Sequence, residues 1–326
     1  MEKAESRRAA CGICPRACRL AEGETGFCRA RKAVGGRVVP LAYGRPCAVA
    51  LDPMEKKPLY HFLPGRPVLS LGMAGCNLRC RNCQNASISQ ASPDGVPFEP
   101  LAPEEVVALA RREGAPAVAY TYTEPLVAFE YVLDCAKAAR AAGLANVLVS
   151  AGYVNPGPLA QLVPFLDAAN IDLKTMDDAG YRENCAATLA PVLDTLRALA
   201  RSAVHLEVTN LVIPGFNDAE EDFAAWCGFV AGELGEETPV HFSRFFPCHR
   251  LRDRPPTPPA ALEKAKETAL ARGLKHVYLG NTGSEETTFC PACGAALLVR
   301  RAYEILVNRV RGGCCPDCGR KIHGRF

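Results

Sequence analysis

The sequence predicts an α/β protein whose centre is a partial (β/α)6 barrel of the TIM type, flanked by cysteine-rich extensions at both ends. Between about residues 67 and 280, short runs rich in β-branched side chains alternate with longer helical runs, as in parallel strands joined by helices. No GxGxxG motif marks a dinucleotide-binding sheet, which favours a barrel. The 17 cysteines lie mainly in the two ends and in one central loop. We predict an extension at 1–66, the barrel at 67–284 and a C-terminal module at 285–326.

Short apolar runs predict seven strands, and helix signals lie between them. The predicted strands are 68–72, 118–122, 146–150, 170–173, 205–209, 240–243 and 276–279. One helix begins at Pro103, because proline suits a first turn and the acidic residues after it suit the positive end of the helix dipole. Two more helices, 126–142 and 259–272, end at Gly143 and Gly273. In such a barrel the chemistry collects at the carboxyl ends of the strands.

Composition predicts a globular protein in a reducing compartment. Apolar residues make up 48 % and charged residues 22 % of the chain, which excludes a disordered or collagenous protein. The first residues are charged and contain no signal-like apolar stretch, and asparagine, proline and glycine interrupt the uncharged segment 141–166. We therefore expect a cytoplasmic protein without a membrane span, whose cysteines serve metal or redox chemistry instead of disulfides.

Charge is distributed unevenly along the chain, although the net charge is only +3. Residues 1–37 hold nine basic and four acidic side chains, and residues 299–326 hold seven and two, so each end carries +5 and the middle carries −7. The basic ends fit an acidic partner or RNA, but solvated faces are the interpretation that we favour.

The central loop carries the motif C-x3-C-x2-C directly after the first predicted strand, at Cys76, Cys80 and Cys83. Three thiolates on one loop can hold three irons of a [4Fe–4S] cluster and leave the fourth iron open for a substrate or cofactor. A zinc site is the alternative, but structural zinc takes four ligands, and only His61 upstream offers a fourth.

This spacing after a first strand resembles the radical S-adenosylmethionine (SAM) superfamily. The resemblance implies that SAM binds the open iron, that one electron cleaves it to methionine and a 5′-deoxyadenosyl radical, and that this radical removes hydrogen from a substrate. It also implies a carboxylate after the second strand that binds the SAM ammonium group. Glu124 matches that carboxylate, while Tyr122 and Thr123 replace the two glycines that usually precede it.

Further SAM contacts are expected at the ends of later strands, where Ser150, Asp172, Lys174 and His241 lie. Asp172 and Lys174 resemble the Asp-Leu-Lys triplet of glycyl-radical-enzyme activases, which contacts the ribose and carboxylate of SAM. Residues i and i+2 share a strand face, so both side chains should point the same way. A structural salt bridge is the alternative for this pair, and a core histidine is the alternative for His241. We expect His205, at a strand start, to be structural.

The last segment contains two C-P-x-C-G knuckles, at Cys290 and Cys293 and at Cys315 and Cys318. Two such knuckles make one tetrahedral site with four sulfur ligands, typical of a zinc ribbon or a rubredoxin-like iron module, and we favour Zn²⁺. Cys314 is an alternative ligand.

The N-terminal group consists of Cys11, Cys14, Cys18 and Cys28. On spacing alone it suits zinc or an auxiliary [4Fe–4S] cluster equally well, and a structural clip is a third interpretation.

Over nearly its whole length the chain resembles the radical SAM member of the AmmeMemoRadiSam system, which is similar to pyruvate formate-lyase activating enzyme in its core. The leading C-x2-C-P-R-x-C, segments 43–46, 52–62 and 213–218, and the closing knuckles carry this resemblance. It implies a low-potential electron donor of the flavodoxin or ferredoxin type, a protein or other large substrate, and Memo-like and AMMECR-type partners.

Two other functions remain open from the sequence. One is a zinc-organised module that binds RNA or protein and carries a sensory iron–sulfur cluster. The other is electron transfer through two or more clusters, which predicts about eight irons per chain instead of four.

Overall fold

The computed structural model describes residues 8–326, and the charged opening residues 1–7 lie outside that range. In chain order the strands are β1 Ala9–Ala10, β2 Arg19–Leu20, β3 Arg31–Val34, β4 Arg37–Pro40, β5 Pro46–Pro53, β6 Pro67–Met73, β7 Ala117–Tyr120, β8 Ala145–Ser150, β9 Ala168–Asp172, β10 His205–Val212, β11 Val240–Arg244, β12 Val277–Gly280, β13 Glu285–Phe289, β14 Ala296–Arg301 and β15 Glu304–Asn308. The α-helices are α1 Ala86–Ser89, α2 Pro103–Arg112, α3 Phe129–Ala141, α4 Pro156–Leu162, α5 Asp178–Cys185, α6 Ala190–Ala200, α7 Glu220–Phe229 and α8 Pro259–Ala271.

An eight-stranded sheet forms the centre, in the order β12-β11-β10-β9-β8-β7-β6-β5. The strands β6 to β12 run parallel, each beside its predecessor in the sequence, and β5 runs antiparallel to β6. The predicted α/β class is confirmed, and all seven predicted strands form. The sheet holds seven parallel strands where a (β/α)6 barrel has six, and β5 and β12 are its two edges.

The sheet and its helices bury each other because both present continuous apolar surfaces. All four residues of β7 are buried, as expected of a parallel strand covered on both faces. On α6, Val192, Leu196 and Leu199 are fully buried, and their spacing of four and three residues places them on one helix face. Truncating a fully buried leucine such as Leu196 to alanine would destabilise the fold by about 2–5 kcal/mol.

The sequence predicts a separate extension at 1–66, but β5, which lies within that range, is part of the central sheet. The sequence signal was weak, since β5 contains two prolines, and prolines are confined to strand ends and sheet edges. The following segment crosses the amino-terminal end of the barrel, where the backbone N–H groups of Tyr60 and His61 donate to the Glu207 carboxylate on β10. Residues 54–66 therefore close the bottom of the barrel.

The C-terminal module is a three-stranded antiparallel sheet, β13-β14-β15, that packs beside the barrel. Its Arg300 is fully buried, and the guanidinium lies 4.4 Å from the ring centroid of Tyr60 and 2.8 Å from the hydroxyl of Thr288. The last residues return to the barrel floor, where the N–H of Arg325 donates to the carbonyl of His61 at 2.8 Å. The module is thus fastened to the barrel bottom.

Two small hairpins, β1-β2 and β3-β4, form the N-terminal segment. Within residues 8–326, none of the helices combines the length and apolar character that crossing a bilayer requires.

Candidate functional site

The loop between β6 and α1 carries the three central cysteines. Its first turn needs glycine, because Gly75 has φ +95° and a β-carbon there would lie 2.5 Å from the carbonyl oxygen of Cys28. The N–H of Cys76 donates to that same carbonyl at 3.2 Å, so the N-terminal segment is bonded directly to the loop.

Helix α5 holds the other side of this loop. The N–H groups of Arg79 and Arg81 donate to the carbonyls of Cys185 and Asn184 at 2.8 and 2.9 Å. The neighbouring thiol of Cys185 lowers the pKa of Cys80 to about 7, although burial opposes the shift. Cys185 looked like an isolated cysteine in the sequence, and only the packing of α5 brings it here.

One cavity of about 600 Å³ contains all the predicted central site residues at the carboxyl ends of the parallel strands. Of the predicted ligands and SAM contacts, it is lined by Cys76, Cys80, Cys83, Glu124, Ser150, Asp172, Lys174 and His241. The C-terminal module also contributes, because Arg300, Ala302 and Tyr303 line the same cavity. A space of this size is typical of a site for small molecules and cofactors.

The spacing of the three thiols fits a cluster better than a single ion. Their sulfurs are not all within 4.8 Å of one another, since among the described residues only the C-terminal cysteines meet that condition. A tetrahedral zinc ion with Zn–S bonds of about 2.3 Å needs sulfurs about 3.8 Å apart. In a [4Fe–4S] cluster the three thiolates bind three different irons and stand further apart. Burial raises the pKa of the Cys76 thiol, so ligation by metal is what would deprotonate it.

Glu124 follows β7, Ser150 ends the neighbouring strand β8, and the two side chains form one polar pair. The Ser150 hydroxyl lies 2.9 Å from both carboxylate oxygens of Glu124, and the N–H groups of Ala151 and Leu126 donate to the same carboxylate at 3.0 and 3.2 Å. Burial nevertheless raises the pKa of Glu124 to about 7. The structure therefore brings these two predicted contacts together and fixes the carboxylate at the cavity wall.

The backbone before Glu124 keeps a glycine-like conformation although the residue is tyrosine. Tyr122 has φ +68°, a region that costs a non-glycine residue about 1–2 kcal/mol. Its hydroxyl donates to Asp52, and its ring lies 4.6 Å from the Nζ of Lys57. Gly72 leaves room for it, because a β-carbon there would lie 2.8 Å from the tyrosine ring. The tertiary contacts of this side chain thus hold a turn that two glycines usually make.

Asp172 and Lys174 point the same way, as their spacing predicts. The Nζ of Lys174 lies 2.9 Å from Oδ2 of Asp172, and both residues line the cavity. Burial disfavours the lysine charge, but the neighbouring Asp172 carboxylate outweighs this and raises the pKa of Lys174.

His241 lines the cavity but is already bonded within the protein. Its Nε2 lies 2.6 Å from Glu207, whose other oxygen lies 3.0 Å from Nε2 of His205. Burial would raise the pKa of Glu207, but the bonds from the two histidines hold it well below its usual range. Glu207 is not among the residues predicted from the sequence, although a lone acidic residue in the apolar run of β10 is a usable signal. His205 begins β10 and does not line this cavity.

The four C-terminal cysteines form a compact tetrahedral set. The sulfurs of Cys290 and Cys318 are 3.6 Å apart, those of Cys293 and Cys315 are 3.7 Å apart, and all four lie within 4.8 Å of one another. This spacing fits one metal ion with four sulfur ligands. Cys314 is not part of the set.

Comparison with known proteins identifies the family. The model of the radical SAM superfamily matches residues 71–227, the stretch that contains the three central cysteines, Glu124 and the Asp172–Lys174 pair. The chain belongs to the radical SAM superfamily. This radical SAM enzyme is 45 % identical over 325 residues to an uncharacterized protein of Methanocaldococcus jannaschii, which covers 98 % of this chain and 97 % of that protein.

The radical SAM enzyme is also similar to activating enzymes. It is 22 % identical over 219 residues to the pyruvate formate-lyase-activating enzyme of Clostridium pasteurianum, covering 62 % of this chain and 88 % of the relative. Among solved structures, Streptococcus suis SuiB bound to its precursor peptide SuiA superposes with a TM-score of 0.53 at 13 % identity, over 70 % of this chain and 51 % of that one. That likeness concerns the fold alone.

Proposed function

We propose that this protein is an activase-like radical SAM enzyme that removes a hydrogen atom from a protein or another large biomolecule. The observation that carries the proposal is the shared cavity. It is lined by three cysteines from a single loop, by the buried carboxylate of Glu124 and by the Asp172–Lys174 pair. With a [4Fe–4S] cluster and SAM bound, the chemistry supplied would be one-electron reductive cleavage to methionine and a 5′-deoxyadenosyl radical.

Cys76, Cys80 and Cys83 would hold three irons and leave the fourth open toward the cavity. The protein contributes by fixing their loop from two sides, through the Cys28 carbonyl and through α5. A rigid loop keeps the ligands in place when the charge of the cluster changes, because the hydrogen bonds to the loop backbone do not depend on that charge.

Glu124 would accept the SAM ammonium group, with the Ser150 hydroxyl orienting the carboxylate. Three protein donors already bind this carboxylate, and a carboxylate has about four acceptor positions, so one remains for the ligand. Asp172 and Lys174 would contact the ribose and the carboxylate of SAM. Nε2 of His241 is occupied by Glu207, so this histidine would contact the ligand through Nδ1 or its ring face.

The C-terminal cysteines would hold Zn²⁺ in a structural role. The metal would organise a module whose own apolar core is small, built mainly from Leu297, Leu298 and Ile322. Since Arg300 and Tyr303 of this module line the cavity, the metal would also shape the substrate side of the site.

The proposed enzyme would need an electron donor and a substrate, and it would have further protein partners. A flavodoxin or ferredoxin of low potential would supply the electron, and the named activity of the pyruvate formate-lyase-activating relative supports a protein substrate. Memo-like and AMMECR-type proteins are proposed as partners on the AmmeMemoRadiSam resemblance, which pull-down with the purified proteins would test.

Anaerobic reconstitution tests the enzyme activity. With dithionite and SAM, the protein should release 5′-deoxyadenosine, and Cys80→Ala should reduce the rate at least 100-fold, because one iron of the cluster loses its ligand. Cys47→Ala is the matched control, since this half-buried cysteine lies outside the three groups. If a protein with an intact cluster neither binds SAM nor forms 5′-deoxyadenosine, the proposal is wrong.

A further inference from the structure

The four N-terminal cysteines surround one small, partly open void. Cys11, Cys14, Cys18 and Cys28 all line it, and the short strand β2 lies between the first and the last of them. Its volume of about 20 Å³ exceeds what a single water needs. Four of the eleven residues that line it are cysteines, and its other polar lining residues are Arg16, Arg31 and Asn77.

The N-terminal sulfurs do not form a compact set like that of the C-terminal cysteines. Among residues 8–326, only the C-terminal cysteines bring three or more ligand atoms within 4.8 Å of one another, so no three N-terminal sulfurs do so. The C-terminal set, at 3.6 and 3.7 Å, matches the roughly 3.8 Å that tetrahedral zinc needs. Among residues 8–326 the C-terminal sulfurs thus form a compact set, whereas neither the N-terminal nor the central sulfurs do.

A buried cation with an unused donor faces the void. Arg31 lines it and is 4 % exposed, and its terminal nitrogens bind the Glu130 carboxylate at 2.6 and 2.7 Å. Its Nε has no acceptor within the described residues. An N–H group next to sulfur is a usual neighbour of an iron–sulfur cluster, where it stabilises the anionic core. Arg16, stacked 3.5 Å above the ring of Phe27, adds a second positive charge to the wall.

The void lies against the loop of the first cluster. Asn77, the neighbour of Cys76, lines it, and the carbonyl of Cys28 accepts the N–H of Cys76. Gly75 permits this close approach, as its missing β-carbon would clash with the same carbonyl. Cys14 and Cys28 are buried on this inner side, while Cys11 and Cys18 are partly exposed. The group therefore connects the protein surface to the central site.

We propose that Cys11, Cys14, Cys18 and Cys28 hold a second [4Fe–4S] cluster, which passes single electrons from a ferredoxin or flavodoxin to the first cluster. In the transfer the donor is oxidised by one electron, the second cluster is reduced and then reoxidised, and the first cluster is reduced. No bond forms or breaks, and no proton moves. The described part of the segment carries seven basic and two acidic residues between 8 and 37, which suits an acidic electron carrier. The relay role rests on the proposed function, whereas the identity of the cluster does not.

Metal analysis of a variant without the first site tests the cluster. Cys76→Ala/Cys80→Ala/Cys83→Ala, reconstituted anaerobically, should retain about four irons and four sulfides per chain and give a paramagnetic signal on reduction. Two zinc ions and no iron in this variant would overturn the proposal.

A second variant tests the cluster even if the first variant does not fold. Cys11→Ser/Cys18→Ser changes partly exposed residues and should lower the iron of the full protein from about eight to about four per chain. The control Cys47→Ser should keep about eight. Iron of about four in the unmodified protein, unchanged in this variant, would overturn the second cluster independently.

The relay has its own readout, the ratio of SAM cleavage rates with reduced flavodoxin and with dithionite. Dithionite is small and can reduce the first cluster directly, whereas a protein donor must dock at the surface. The ratio should fall at least tenfold in Cys11→Ser/Cys18→Ser. An unchanged ratio would overturn the relay, while loss of cleavage in every protein, with eight irons present, would overturn the proposed enzyme activity and leave the second cluster in place.

Discussion

Breaking the Asp52–Lys57 pair should destabilise the barrel floor and the turn before Glu124. The Nζ of Lys57 lies 2.6 Å from Oδ2 of Asp52, and the two side chains are 1 % and 6 % exposed. The same carboxylate accepts the hydroxyl of Tyr122, the residue held at positive φ. Asp52→Asn keeps the shape of the side chain and removes only its charge, which leaves the lysine ammonium buried without a counter-ion.

The expected loss follows from this burial. Removing one partner of a buried pair costs about 3–5 kcal/mol, because the remaining charge cannot be solvated. At roughly 2–4 °C per kcal/mol for large domains, the melting temperature should fall by about 6–20 °C. The loss should shrink as pH rises toward 10, because burial already lowers the pKa of Lys57 and a neutral amine needs no counter-ion.

Two further variants separate charge from packing, with thermal and urea unfolding as the assay. Lys56→Met removes the other ion pair of Asp52, at 2.8 Å, but that lysine is 44 % exposed, so the loss should stay below about 1 kcal/mol. The double variant Asp52→Asn/Lys57→Met should recover much of the stability, since no buried charge remains. Two results would contradict this prediction. One is a free energy of unfolding for Asp52→Asn within about 1 kcal/mol of that of the unmodified protein, and the other is a double variant that is no more stable than the single one.

Three other changes test the site and its flanking metal. Burial raises the pKa of Glu124 to about 7, so the carboxylate becomes protonated below that pH. The affinity for SAM, measured by calorimetry, should then fall by up to about tenfold per pH unit. Glu124→Gln should bind SAM weakly and independently of pH. Cys185→Ser should keep the iron content and SAM binding, because Cys185 contacts Cys80 without completing the ligand set; loss of one iron would mean that it is the fourth ligand. Cys293→Ala/Cys318→Ala should remove one metal ion per chain by elemental analysis and make the segment after residue 284 sensitive to protease, whereas the adjacent Cys314→Ala should do neither.

The alternation of strands and helices predicted the fold class well because both patterns are local. A buried parallel strand needs only four or five apolar residues in a row, and helix ends are marked by adjacent residues such as Pro103, Gly143 and Gly273. β5 escaped detection because its pairing with β6 is what makes it a strand. Its own sequence, PCAVALDP, contains prolines and an aspartate that weaken the signal.

Some residues of the candidate site were also predictable from local sequence, whereas others depend on contacts between distant segments. The positions of Glu124, Asp172 and Lys174 followed from strand ends, since parallel strands deliver their carboxyl ends to one edge. Glu207 was not predictable as a partner, because its contacts come from His61, 146 residues earlier, and from His241, 34 residues later. The place of the C-terminal module on the barrel likewise depends on Arg300 meeting Tyr60, 240 residues away.

By itself, the sequence predicted which cysteines could act together as ligands. Cysteines separated by two or three residues lie on one loop whatever the rest of the chain does, so the grouping in the central loop and in the two knuckles was visible locally. Only the tertiary structure decided how far apart the sulfurs of distant hairpins stand, which helix reaches Cys80, and what closes the barrel floor. Those distances are set by packing between segments far apart in the chain, and no short sequence pattern contains them.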